Sequence, residues 1–211
     1  MLFSIALGFL YSFKIWATWA DNIIKLSPIW LIGILFWLLP LFWVITYRGK
    51  TPWLLRSPHL QALIGFVVLL PAYLGLITLH GIGYYLIILL FVIIWSSDTF
   101  AYFVGRQWGK NPLAPYVSPK KTWAGFWGGL IGASIVAYLM APHGSNFMYG
   151  VIVATILLGV LGDLFESLLK RIAGVKDSGT LLPGHGGILD RIDSLIAALP
   201  MYSFALVALN A

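Results

Sequence analysis

The chain has 211 residues, 60% of them hydrophobic and only 9% charged, with a formal net charge of +6 and no cysteine. That composition excludes a soluble globular domain, a disulfide framework and a Cys-ligated metal. The positive charge falls in short loops between apolar runs, not in a basic domain, which argues against nucleic acid as a partner and for a lipid bilayer.

Residues 1–20 are apolar apart from Ser, Thr and Lys14, with no basic leader region and no small-x-small cleavage pattern before Asp21. They read as a retained helix, spanning or interfacial. Residues 29–47 are a span of the length a ~30 Å hydrocarbon core requires. A loop with Arg48, Lys50 and Arg56 follows. Residues 60–79 form the next span, which Pro71 is expected to kink. His80-Gly81-Ile82-Gly83 reads as a tight turn, and 84–104 returns across, carrying Asp98 near its far end. A basic, Pro-containing loop covers 105–122. Residues 123–141 form a Gly-rich span in which Gly128, Gly129 and Gly132 permit close helix packing. An uncharged turn, a span at 147–165, a Gly-rich loop at 166–187 and a last span at 188–209 complete the chain. His59, His80 and His143 each stand alone at a predicted membrane boundary and read as interfacial. The fold class is therefore an all-α, polytopic integral membrane helix bundle of about six to seven transmembrane helices with no soluble domain.

Ten of the thirteen Lys and Arg residues lie in the loops at 48–58, 105–122 and 166–187, and the turns between them hold none. Alternate loops are basic, so the positive-inside rule puts all three in the cytoplasm.

Charge of the other sign is scarcer and more clustered. Of seven acidic residues, Asp163, Glu166, Asp177, Asp190 and Asp193 fall within 162–193, and Asp98 ends another apolar run. Carboxylates are costly near a bilayer and mark a site when they gather. Asp163, Glu166, Ser167 and Lys170 share one helical stripe, and Asp190 and Asp193 share another after the Gly-rich loop. Two carboxylate-bearing helix ends form an oxygen site suited to Mg2+, with Asp163, Asp190 and Asp193 as the first ligands and Asp177 as the next. Glu166 is the residue expected to orient Lys170 or Arg171. Lys170, Arg171, Lys176, His185 and Arg191 add a basic set that suits a phosphate-rich substrate. A salt-bridged helix end is the competing explanation for Asp163 and Glu166, and an ordinary loop histidine for His185. Ser118-Pro119-Lys120-Lys121-Thr122-Trp123 reads either as a topology signal or as a phosphate-binding segment before a helix start. No soluble nucleotide-binding signature is present.

These segments resemble a known family. Ser167-Leu-Leu-Lys170-Arg171, then Lys176-Asp177-Ser178-Gly179, then the run from Pro183 through His185 and Asp190-Arg191-Ile192 to Asp193 are similar to the signature of phosphatidate cytidylyltransferases, also called CDP-diacylglycerol synthases. Asp98-Thr99-Phe100-Ala101-Tyr102 and Ser118 to Trp123 resemble family motifs in the family's order. The likeness covers about 95–200, whereas residues 1 to about 85 match only as generic membrane helices; Ala124 stands where the family usually has an acid. The resemblance implies condensation of CTP with phosphatidic acid to CDP-diacylglycerol and pyrophosphate, with Mg2+ as cofactor, in a bacterial inner membrane with the site facing the cytoplasm. It implies catalytic roles for Asp163, Asp190, Asp193, Lys170 and Arg171, and substrate contacts from Asp98, Ser118, Lys120, Lys121, Thr122, Lys176, Ser178, His185 and Arg191. The domain reading is 1–85 for amino-terminal membrane helices and 86–211 for the catalytic region. A homodimer is an admitted assembly, with the oligomeric state itself left open. A CTP-dependent lipid-alcohol kinase and, after it, a polytopic transporter are the alternatives.

Overall fold

A computed structural model describes residues 27–140, 146–179 and 187–210. The expected helix at 1–20, residues 142–145 of the uncharged turn expected at 142–146, and His185 lie outside the described residues. Seven helices and one hairpin follow in order: α1 (Ser27–Phe36), α2 (Leu38–Thr46), a 3-10 turn at Trp53–Arg56, α3 (Pro58–Ile82), α4 (Tyr84–Trp108), β1 (Pro112–Ala114), β2 (Ser118–Thr122), α5 (Trp123–Met140), α6 (Asn146–Ala173) and α7 (Leu189–Asn210). With α1 and α2 forming one span, six segments among the described residues are long and apolar enough to cross a membrane. The chain is an integral membrane protein.

The apolar runs become helices because a bilayer leaves no other partner for backbone N–H and C=O groups. Pro71 and Pro200 sit inside α3 and α7 without ending them. The turn expected at 80–83 shrinks to Gly83, because α3 runs on to Ile82 and α4 starts at Tyr84. Two helices also overrun their expected ends. α4 continues past Val104 to Trp108, and α6 past Phe165 to Ala173, so part of each expected loop is helix. Hydropathy ends where charge begins, but backbone hydrogen bonding does not.

α6 and α7 form the centre. Half of the α6 span and 61% of the α7 span are buried, against 28–33% for the others. One apolar cluster joins α3, α4 and α7 through Leu79, Leu90, Leu199 and Tyr202. A second joins α1 and α2 to α6 and the hairpin through Trp37, Trp43, Ala114, Val117 and Phe165. Exposed Ile32, Leu35, Phe42 and Ile45 on α1 and α2, with Ile131 and Ile135 on α5, give the outer face its lipid-like character. Exposed Trp53, Trp108 and Trp123 stand at the segment ends that carry the basic loops, where amphipathic indoles favour the interface.

The Gly-rich face of α5 packs on α4 as its composition predicts. A Cβ at Gly129 would lie 2.7 Å from the Ser97 carbonyl oxygen, and one at Gly125 would lie 2.8 Å from that of Ala101. Only glycine allows backbones to approach so closely.

The hairpin is the departure from the all-helical expectation. β1 and β2 pair antiparallel, with Pro112 opposite Thr122 and Ala114 opposite Ser118. Pro115 and Pro119 keep this segment out of helix. With strands of three and five residues, there is too little alternation to read as a strand signal.

Candidate active site

Close helix packing brings the scattered carboxylates together. A Cβ at Gly162 would lie 2.6 Å from both the Asp193 carbonyl oxygen and the Ala197 Cβ, so α6 and α7 touch backbone to backbone beside Asp163 and Asp193. Both acids, with Asp98 from α4, line a polar cavity of about 230 Å³ that also receives Glu166, Lys170, Asp190, Arg191 and Ser194. One Asp193 oxygen accepts the Ser194 N–H at 2.7 Å.

Lys170 is clamped between two acids. Its Nζ lies 2.6 Å from Glu166 Oε2 and 2.7 Å from Asp190 Oδ1. Glu166 is buried, and its Oε1 has no hydrogen-bond partner among the described residues. Asp190 does further work with its other oxygen. Oδ2 accepts hydrogen bonds from Ser178 N–H at 3.0 Å, Ser178 O–H at 2.8 Å and Gly187 N–H at 2.8 Å. The carboxylate thereby ties both flanks of the 179–187 segment to the start of α7, where the helix dipole favours an anion.

The hairpin supplies the cations. Ala114 and Val117 are buried in the apolar cluster, which anchors the hairpin. Arg171 Nε donates to the Val117 carbonyl at 3.1 Å. Thr122 Oγ1 accepts the Gly125 N–H at 3.1 Å and so caps α5. Lys121 then reaches across to pair with Asp163, while Ser167 Oγ lies 3.5 Å from the other Asp163 oxygen. Ser118, Lys120 and Lys121 line a second cavity of about 580 Å³, which shares Asp98 and Asp163 with the first. A third, apolar cavity of about 780 Å³ runs between α1, α2, the hairpin and α6, and meets the second at Leu113, Phe126 and Val160.

Acids, paired cations and an apolar groove therefore adjoin on the side of the bundle where the basic loops lie. A family model described as the cytidylyltransferase family matches residues 1–209. The chain belongs to the cytidylyltransferase family. It is 42% identical to the phosphatidate cytidylyltransferase of Haemophilus influenzae over 187 residues, which is 80% of this chain and 64% of that protein. It is 42% identical to the Bacillus subtilis phosphatidate cytidylyltransferase over 156 residues, covering 68% and 58%. The Rickettsia bellii phosphatidate cytidylyltransferase is 38% identical over 200 residues, 86% of each chain. This chain thus spans about two thirds of the length of the Haemophilus relative and most of the Rickettsia one.

The structure unites Asp98, Asp163, Lys170, Asp190, Arg191 and Asp193 around one cavity. Ser118, Lys120, Lys121 and Thr122 meet in the other. Asp177 and Lys176 are exposed in the loop after α6 and line neither cavity. Arg171 holds the hairpin, and Ser178 holds Asp190. Arg106, absent from the sequence candidates, and Tyr102, noted only as part of the motif beginning at Asp98, line the larger of the two polar cavities. The signal that finds them is their spacing: Asp98, Tyr102, Gly105 and Arg106 fall at i, i+4, i+7 and i+8, one face of a helix.

Proposed function

We propose that the chain is a CTP:phosphatidate cytidylyltransferase, joining the phosphate of phosphatidic acid to the α-phosphorus of CTP and releasing pyrophosphate. The observation that carries this reading is the sharing of Asp98 and Asp163 by a carboxylate cavity and a cationic cavity. The apolar groove beside the cationic cavity suits acyl chains. The catalytic work is assigned to residues 86–211, in a bacterial inner membrane with the cavities facing the cytoplasm. A homodimer is retained as the assembly to be tested by cross-linking.

The donor set suits a hard cation. Among the described residues no three His, Asp or Glu side chains form one metal-holding group, yet Mg2+ ordinarily takes only one or two carboxylates and completes its shell with water and substrate phosphate. Asp163 and Asp193 are the residues assigned to hold it. Asp190 is already engaged by Lys170, Ser178 and Gly187, and Asp177 stands away from the cavity. When bound, Mg2+ supplies Lewis-acid stabilisation of phosphate charge.

The protein's own groups account for the remainder. A phosphate monoester has a second pKa near ~6, so the lipid nucleophile is ionised at neutral pH without a general base. Its oxygen forms a bond to the α-phosphorus as the bond to the β-phosphate bridging oxygen breaks, and that oxygen leaves with the electron pair. Lys120 and Lys121 hold phosphate oxygens and compensate charge as the substrates meet. Lys121 exchanges its partner Asp163 for substrate phosphate, which would leave that carboxylate available to hold a cation. Lys170, fixed by Glu166 and Asp190, presents a positive charge to the same cavity. Fixed charges in a partly dehydrated site stabilise the transition state because they need no reorganisation.

Parallel incubations with CTP labelled at the α- or the γ-phosphate test this reading. Transfer of α-label alone into lipid is expected. Transfer of γ-label alone would make the protein a lipid kinase, and no transfer of either would leave the transporter reading ahead.

A further inference from the structure

The last turn of α4 carries a cation with no acidic counterpart among the described residues. Arg106 lines the same cavity as Lys120 and Lys121. Lys121 is paired with Asp163, and Lys170 with Glu166 and Asp190, but no carboxylate among the described residues pairs with Arg106. Its guanidinium, on an exposed side chain, has one partner on its own helix. Nη1 donates to the Tyr102 hydroxyl one turn earlier, at 3.2 Å.

The base of this side chain is fixed. A Cβ at Gly105 would lie 3.0 Å from Thr122 Oγ1 and 3.3 Å from the Gly125 Cα. The end of α4, the end of β2 and the start of α5 are thus pressed together, which sets Arg106 relative to Lys120 and Lys121. Asp98 lies eight residues earlier on α4, about 12 Å along the axis. One end of the cavity therefore holds the shared carboxylates, and Arg106, two residues before the exposed Trp108, marks the other.

We propose that Arg106, oriented by Tyr102, binds the β- and γ-phosphates of the nucleoside triphosphate, the part that leaves as pyrophosphate. This rests on the cytidylyltransferase reading above and names which end of the nucleotide the cationic wall receives. With the α-phosphorus at the shared carboxylates, the distal phosphates extend toward the aqueous end of α4. A planar guanidinium can take two phosphate oxygens at once, which an ammonium cannot. Its charge also compensates the electron pair that the departing bridging oxygen carries away. The lipid phosphate is placed by its acyl chains on the other side of Leu113, Phe126 and Val160.

The test is equilibrium binding of CTP and of CMP, with Mg2+, to the full chain in detergent and to R106Q and R106K. R106Q is expected to weaken CTP binding about 10-fold, the loss of a charge-assisted contact, while CMP binding stays within about 2-fold. R106K, which keeps the charge and the fold but loses the fork, is expected to fall between. Y102F is expected to weaken CTP binding less than R106Q. Unchanged CTP binding in R106Q, or equal loss of CTP and CMP, overturns the proposal. So does weakened phosphatidate binding with CTP binding intact, which assigns Arg106 to the lipid. Transfer of α-label by the unaltered protein is scored separately. Its absence sinks the cytidylyltransferase reading, while the comparison of CTP with CMP still decides the role of Arg106.

Discussion

Lys121 and Asp163 are 42 positions apart and form an ion pair across the boundary between the two polar cavities. One comes from the hairpin and the other from the central helix α6, so a single contact couples the cationic wall to the carboxylates. In the proposed cycle, substrate phosphate takes over Lys121, which would leave Asp163 available to hold a cation.

Asp163→Asn is therefore expected to reduce cytidylyl transfer by about 10²-fold or more, the scale for loss of one transition-state-stabilising group. Initial rates against Mg2+ concentration check this. A rate and Mg2+ dependence close to those of the parent would remove Asp163 from the cation site.

Lys170→Met is expected to lower stability as well as activity. Side chains of Glu166 and Asp190 are only 7% and 12% exposed, so removing their shared ammonium leaves two buried negative charges facing each other. Breaking such a pair costs about 3–5 kcal/mol. Thermal unfolding in detergent should show a lower midpoint, partly restored by combining Lys170→Met with Glu166→Gln. Absence of any restoration would mean that the network does not carry the effect.

Ser178→Ala is expected to loosen the loop while leaving the helices intact. It removes one of three donors on Asp190 Oδ2, so limited trypsin cleavage after exposed Lys176 should accelerate. Asp190→Asn should accelerate it more, because both flanks of the 179–187 segment lose a charged acceptor. Equal cleavage in all three proteins would contradict the clasp.

Gly129→Val is expected to separate α4 from α5. The added side chain meets the Ser97 carbonyl oxygen, which is backbone and cannot yield alone. Overpacking of this kind costs about 1–3 kcal/mol or more. A lowered midpoint should appear together with lost transfer, since Lys120 and Lys121 are carried on the strand leading into α5. A midpoint equal to the parent's would show that the interface is softer than its geometry implies.

A reporter fused after Ala173 is expected to report a cytoplasmic location, and one inserted at Gly144 an external one. The opposite pattern would reverse the orientation and close the site to soluble CTP.

Much of the bundle was legible in the sequence because the bilayer imposes it. The described spans fall where apolar runs of sufficient length occur, and the close packing expected of Gly128, Gly129 and Gly132 is realised against α4, a partner the sequence did not name. The stripe from Asp163 to Lys170 also holds, as does the pairing of Glu166 with Lys170. Arg106 escaped because hydropathy drops after Val104, so a residue on the last turn of a helix read as part of a basic loop. The hairpin escaped because its strands are short and its extended geometry comes from prolines and tertiary anchoring. The divided role of Asp190 could not be read either. It depends on Ser178 and Gly187 converging from opposite ends of a Gly-rich segment, and composition does not encode that convergence.

The most direct measurement reconstitutes the purified chain with phosphatidic acid and Mg2+ and adds CTP labelled at the α-phosphate. Labelled lipid and released pyrophosphate are counted together, for the parent and for Asp163→Asn. Equal molar amounts of labelled lipid and pyrophosphate in the parent, with both falling together in the variant, is the predicted result. Pyrophosphate release without labelled lipid, or labelled lipid formed equally well by Asp163→Asn, would contradict cytidylyl transfer at these carboxylates.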